Sequence, residues 1–368
     1  MKKIKLLAFA FVAFLFAGIM SVSAIHIDEL YDGSNLKAEK QDDGSYLLTL
    51  TGDAALDLII QNGEVATLDL NGHTLTNYLQ PTPADPKHPA PCEAIKVENG
   101  ATLTIIDSSN GKGVVTQVKE SSYSVITNLG TLNIKAGTFK TDLDFYVIRN
   151  EANMTIFGGN FISTSNKTSL VGNIQYEDKN VTPRLTVSGG NFEANQNALK
   201  NYENSIVNIT GGEFTSKDAF ALDNSGYASV TGGELTSVNN SAIRFQIDST
   251  KDNESSLKIN GATLNSKEGI SDLTIYDNAL DEDVTNDYNV NLDDQGNVVI
   301  EEKQEDVTTG VVTTTAWVVV VTTGVVTTTT QAVEENPNTA DNVGLYVILA
   351  LVGLGVVGIT TKSLIKHH

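Results

Sequence analysis

Carboxylates that recur beside a repeated asparagine are the residues in this chain best spaced to do chemistry. Asp142 and Asp144 stand one residue apart, just before YVIRN (146–150), while Asp218 precedes FALDN (220–224) and Asp223 lies within it. Two carboxylates on one face could act as acid and base, or acid and nucleophile, on a glycosidic bond. Arg149 lies beside the first pair, so a charged site there is conceivable; the simpler reading is solvated charge on an exposed strand. His88, Cys92 and Glu93 could offer metal ligands, but they sit in the Pro-rich stretch NYLQPTPADPKHPAPCEA (77–94) without a fourth ligand, which favours a surface loop. The acidic run DEDVTNDYNVNLDD (281–294) lacks the glycine and the spaced glutamate of a dedicated calcium loop, so weak calcium association is the most it implies, and no cofactor is expected.

Composition excludes several classes. Against 24 Lys+Arg stand 45 Asp+Glu, a net charge of −21. Five of the lysines (Lys2, Lys3, Lys5, Lys362, Lys366) fall in terminal segments, so the body is more acidic still. Such a body repels phosphate backbones and anionic membranes, and nucleic acid is not an expected partner. A single cysteine, Cys92, permits no intramolecular disulfide, no Cys₄ zinc site and no CxxC redox pair.

The elements that would position these residues repeat. VNITGGEFTS (207–216) returns as VTGGELTS (230–237), and related segments place an aliphatic residue at Leu70, Ile105, Ile134, Ile156, Val187, Ile209, Val230 and Ile259. The closest separations are 21–22 residues. Within a copy, apolar residues alternate with Thr, Asn or Lys, the period of a strand. Paired glycines follow at 158–159, 189–190, 211–212 and 232–233, where a turn needs left-handed backbone, and then comes one large apolar residue such as Phe192 or Phe214. A further strand ends each unit on Asn128, Asn150, Asn173, Asn201 or Asn224, which reads as a structural ladder of stacked amides.

A unit of about 22 residues cannot bury its apolar side alone and must stack on copies of itself. Leucine-rich repeats need a helical side, and propeller blades need about 40 residues. The pattern therefore predicts an all-β, right-handed parallel β-helix. The expected boundaries are a cap at 25–55, coils at 56–275, an acidic cap with a hairpin at 276–306, and a Thr/Val-rich stalk or linker at 307–335.

The two ends carry addresses. Lysines, an apolar run and a Ser-Val-Ser-Ala ending make residues 1–24 a secretory signal peptide cleaved after Ala24. Near the other end, Asn336-Pro337-Asn338-Thr339-Ala340 precedes an uncharged stretch, Val343 to Thr361, long enough to span a bilayer, and then Lys362 and Lys366. This order resembles the cell-wall sorting signal of Gram-positive surface proteins (336–368). The resemblance implies a sortase as partner, cleavage between Thr339 and Ala340, and attachment to peptidoglycan. Asn336 and Ala340 depart from the commonest residues of that signal, which leaves the sortase class open. A plain transmembrane tether is the alternative, and either puts the body outside the cell.

LDLIIQNGEVATLDLNGHTLT (56–76) and the GGNF and GGEF coils resemble the pectin-lyase-like β-helices of Gram-positive surface proteins over roughly residues 45–275. That fold carries lyases, hydrolases, adhesins and proteins without catalysis. The NTD triplet, the Gly-His-Gly and the Arg-Ile-Lys of its polygalacturonases are missing here. The expectation is a monomeric, non-enzymatic surface protein for adhesion or glycan binding, its ligand a host or environmental glycan or protein. A wall-anchored carbohydrate-active enzyme using Asp142 with Asp144, or Asp218 with Asp223, is the alternative.

Overall fold

A computed structural model describes residues 25–26, 35–77, 93–119, 121–176, 178–251, 255–294 and 298–303. The signal segment with Ala24, His88 and Cys92, the stalk, the pentapeptide from Asn336 to Ala340 and the expected span 343–361 lie outside the described residues. Among the described residues no helix is long and apolar enough to cross a membrane.

The described chain is all-β, with two large sheets of 11 and 17 strands in a solenoid-like stack. A representative coil has three strands, Ile148–Asn150, Asn153–Ile156 and Asn160–Ser163. Each pairs in parallel with its counterpart in the next coil, Val171–Asn173, Arg184–Val187 and Asn191–Ala194. Strands of the first kind form the 11-stranded sheet, called here the Asn face. The other two kinds share the 17-stranded sheet, because Ile206–Ser216 and Tyr227–Ser237 run through the glycine bend as continuous strands.

Alternation decides what is buried. In Arg184–Val187, Leu185 and Val187 point inward and are fully buried, while Arg184 is exposed. The aliphatic column runs in register through Ile105, Ile134, Ile156, Val187, Ile209, Val230 and Ile259. Leu70 does not belong to it: Leu68 pairs with Ile105. Leu70 stands as far before Leu75 as Ile134 stands before Phe139, which made it the apparent match. The left-handed pair Asn71 and Gly72 (φ 45° and 80°) instead absorbs two extra residues in that coil.

The two glycines of a bend are needed for different reasons. Gly190 adopts φ 106°, which an L side chain rarely does. Gly189 lies against the coil below, where a Cβ would come 2.5 Å from the Phe157 carbonyl oxygen. The bend delivers one ring per coil to the same place. Phe139, Phe161, Phe192 and Phe214 stack with centroids 5.1, 4.6 and 4.4 Å apart and planes within 12° of parallel. That spacing is set by the roughly 4.8 Å between hydrogen-bonded strands.

The stack begins earlier than residue 56. Tyr46–Leu50 already pairs in parallel with Val65–Asp69, inside the segment expected to be a cap. Its outer edge is covered by the antiparallel strand Leu36–Lys40, and Ile25–His26 covers the first strand of the Asn face. At the other end Glu282–Asp283 turns back on Leu273–Asp277, and Tyr288–Leu292 pairs with Val298–Glu302 as a hairpin.

Candidate functional site

The interior of the Asn face is an amide ladder. Asn128 Nδ2 donates to Asn150 Oδ1 at 2.6 Å, and the relay continues to Asn173, Asn201 and Asn224 at 2.7, 2.8 and 2.8 Å. All five are fully buried. Each amide also serves the backbone, as when Asn150 Nδ2 donates to the Ala152 carbonyl at 3.1 Å. The relay starts above Val97 and ends below Phe245, which occupy the same register. These amides bond one another and the backbone, so their chemistry is spent inside the stack.

The candidate site is on the other side of the same strands. The residue before each asparagine points outward, and pairing places Lys96, Thr127, Arg149, Gly172, Lys200, Asp223, Arg244 and Thr274 in one column. Four of these are cations, on a strongly acidic chain. Asp223 is outward yet has no exposed surface. Its neighbours explain this. Arg244 donates Nε to Oδ1 at 2.9 Å and Nη2 to Oδ2 at 2.7 Å, Gln246 donates to Oδ1, Asn197 donates to Oδ2 at 3.3 Å, and Lys200 Nζ stands 3.6 Å from Oδ2.

Aromatic rings wall this column. The Arg244 guanidinium lies 4.7 Å from the Phe220 centroid and 5.4 Å from that of Tyr276, and Lys200 Nζ lies 4.6 Å from the Tyr202 ring. Arg149 stands over Tyr176 at 5.3 Å. Tyr146 reaches across two coils to Tyr202, their hydroxyls 2.6 Å apart. It passes over Gly172, where a Cβ would meet its ring at 2.8 Å. Burial pushes the Tyr146 and Tyr202 hydroxyls above the usual phenol range. Neither is therefore poised as a base. Burial by itself would lower Arg244, but the hydrogen-bonded Asp223 more than offsets it and the net shift is upward.

The four candidate carboxylates do not converge. Asp142 and Asp144 are both exposed. Asp144 is held by Lys167 Nζ at 2.6 Å and Ser165 Oγ at 2.9 Å, and the Lys167 hydrogen bond keeps its carboxyl below the ordinary range. Asp218 is exposed and accepts from Asn239 at 2.9 Å, whereas Asp223 is buried against Arg244. Arg149 is not a solvated charge: it pairs with the buried Glu151 at 2.7 Å. Glu93 is likewise engaged, accepting from Thr127 Oγ1 at 3.1 Å. In the acidic run, Tyr276 donates to Asp281 and Thr285 to Asp283. Among the described residues no group of three His, Cys, Asp or Glu side chains could hold a metal ion.

Sequence reasoning missed Tyr146, Lys200, Tyr202, Arg244 and Gln246. The signal was present in the spacing: once coils are aligned on their asparagines, Lys200, Asp223 and Arg244 fall on one position, one residue before the ladder. No protein-family model matches the chain, and no curated protein or solved structure matches it.

Proposed function

We propose that this protein is a secreted, wall-displayed right-handed parallel β-helix that binds glycan on the outer side of its Asn face and performs no catalysis. The observation that carries the reading is the strip itself: three ring-stacked cations and five aromatic side chains lie on one face, along coils of the amide ladder and the two strands beyond its end. Aromatic rings with hydroxyls and charge-assisted donors are the groups that recognise sugar faces and substituents. The hydrolase reading draws no comparable support, because Asp144, Asp218 and Asp223 are held by different neighbours and Asp142 is exposed.

The terminal segments supply the rest of the proposal. Cleavage after Ala24 would export the chain, Thr339 would be joined to peptidoglycan by a sortase, and Val343 to Thr361 would hold the substrate at the membrane until transfer. The body would stand away from the wall on residues 307–335.

Two measurements test it. Cells displaying the full chain should bind a defined subset of a glycan array, and the double variant Tyr146→Ala, Tyr202→Ala should lose that binding while remaining folded on the cell. Release of a hexose or an unsaturated sugar from any bound glycan would restore the enzyme reading. For anchoring, mass spectrometry of muramidase-released protein should find a peptide ending at Thr339 joined to a wall fragment. An intact tail through His368 in the membrane fraction would leave a transmembrane tether.

A further inference from the structure

Within the strip, one position has a charge balance of its own. Lys200 Nζ and Arg244 Nη2 approach the same oxygen of Asp223, at 3.6 and 2.7 Å. Two cations share one carboxylate, so the cluster keeps one positive charge. The carboxylate is fully buried, while both cation side chains are 24% exposed. The negative charge therefore lies underneath and the surplus positive charge faces out. Arg244 spends two of its five N–H donors on Asp223, and a guanidinium held in this way presents its remaining donors in a fixed fork. Phe220, Tyr202 and Tyr276 limit where both heads can move, which removes much of the entropy that ordering long cationic side chains would otherwise cost. Asp281, beside this rim, accepts a hydrogen bond from the Tyr276 hydroxyl.

We infer that Lys200 and Arg244, set by Asp223, form a subsite for a singly charged oxyanion substituent, a carboxylate or a sulfate ester, on the bound glycan; this rests on the glycan-binding reading above. One surplus charge matches a monoanion. A phosphomonoester carries about −1.5 to −2 at neutral pH and would meet the buried Asp223 with its second charge. Asp223 is a positioning residue: it orients the guanidinium and offsets one of the two cations, and the ligand touches only the outer donors.

The test is titration of the full-length, detergent-solubilised chain against array-selected backbones, each prepared unsubstituted, carboxylated, O-sulfated and phosphorylated. The carboxylated and sulfated forms should bind about tenfold more tightly than the unsubstituted form, the worth of one charge-assisted contact, and the phosphorylated form no more tightly than these. Lys200→Gln should remove most of that preference, weakening the carboxylated and sulfated forms by about tenfold and the unsubstituted form by clearly less, since the ring contacts remain. Arg244→Lys, which keeps the charge and loses the fork, should weaken both anionic forms; unchanged thermal unfolding of both variants excludes misfolding. Equal affinity for all four forms overturns the subsite and leaves glycan binding intact. A preference that survives both variants overturns the assignment to these residues. Binding to no form overturns this inference and the reading beneath it together. A carboxylate-only or a sulfate-only preference would identify the source of the anion.

Discussion

Two columns run inside the same stack, one of benzyl rings and one of amides, and they do different work. The rings of Phe139, Phe161, Phe192 and Phe214 are fully buried and stack on one another, so each adds apolar burial that depends little on direction. The amides from Asn128 to Asn224 exchange bonds with water for bonds with each other, a trade of small net worth per bond that is costly to leave incomplete. A ring column tolerates a slip along the chain better than an amide relay does. The ring column therefore supplies stability, and the ladder supplies register.

That division can be broken by experiment. Phe192→Ala removes a ring sandwiched at 4.6 and 4.4 Å and should cost about 3–5 kcal/mol in chemical denaturation, the range for truncating a large core aromatic. Asn150→Ala takes away the acceptor of Asn128 and the donor to Asn173 and should cost about 1–3 kcal/mol. Asn150→Asp should cost more than Asn150→Ala, because a buried charge would face amide neighbours. If Asn150→Ala destabilised as much as Phe192→Ala, the amides would be carrying stability as well as register.

A smaller effect tests the polar side at the first coils. Asp107 accepts from Gly72 N, Ser109 N, Ser109 Oγ and Gly113 N, which ties the left-handed turn of one coil to the next. Burial would raise its pKa, but these donors more than offset it and the net shift is downward. A folded-state pKa below the unfolded one contributes stability above the unfolded value of about 3.9, and that contribution fades as pH falls through the folded value. Asp107→Asn should thus cost about 1–2 kcal/mol at pH 7, and the gap between variant and parent should close below pH ~3.9 in denaturation at graded pH. A gap that stays constant into acid would show that the carboxylate's charge is irrelevant. The smallest change is Tyr146→Phe on the outer strip. It removes only the hydroxyl contact with Tyr202 and should shift stability by about 0.5–1.5 kcal/mol, which melting curves of both proteins would resolve.

Much of the interior was legible because it repeats. GG followed by an aromatic, and a strand ending on Asn, mark positions that every coil must use alike, and the rings and amides stack as that repetition requires. Leu70 was misplaced because spacing to the next landmark was the available guide, and an inserted turn keeps that spacing while shifting the column. The outer site was read poorly for the opposite reason. Exterior positions are free to vary from coil to coil, so Lys200, Asp223 and Arg244 share no pattern until the coils are superposed. Asp142 with Asp144, and Asp218 with Asp223, were paired by nearness along the chain, whereas the partners of Asp223 come from the coils before and after its own.

The sequence alone determined the strand period, the stacking unit, the residues that enter the core and the acidic balance, since each follows from local spacing and composition. Only the tertiary structure decided which side chains of successive coils meet. Parallel pairing sets residues of successive coils side by side, 21 and 23 positions apart for Asp223 with Arg244 and Lys200, and 28 for Asn173 with Asn201. It also decided that an outward-pointing Asp223 is buried and Arg149 is paired, because burial on a solenoid face depends on what neighbouring coils lay across it.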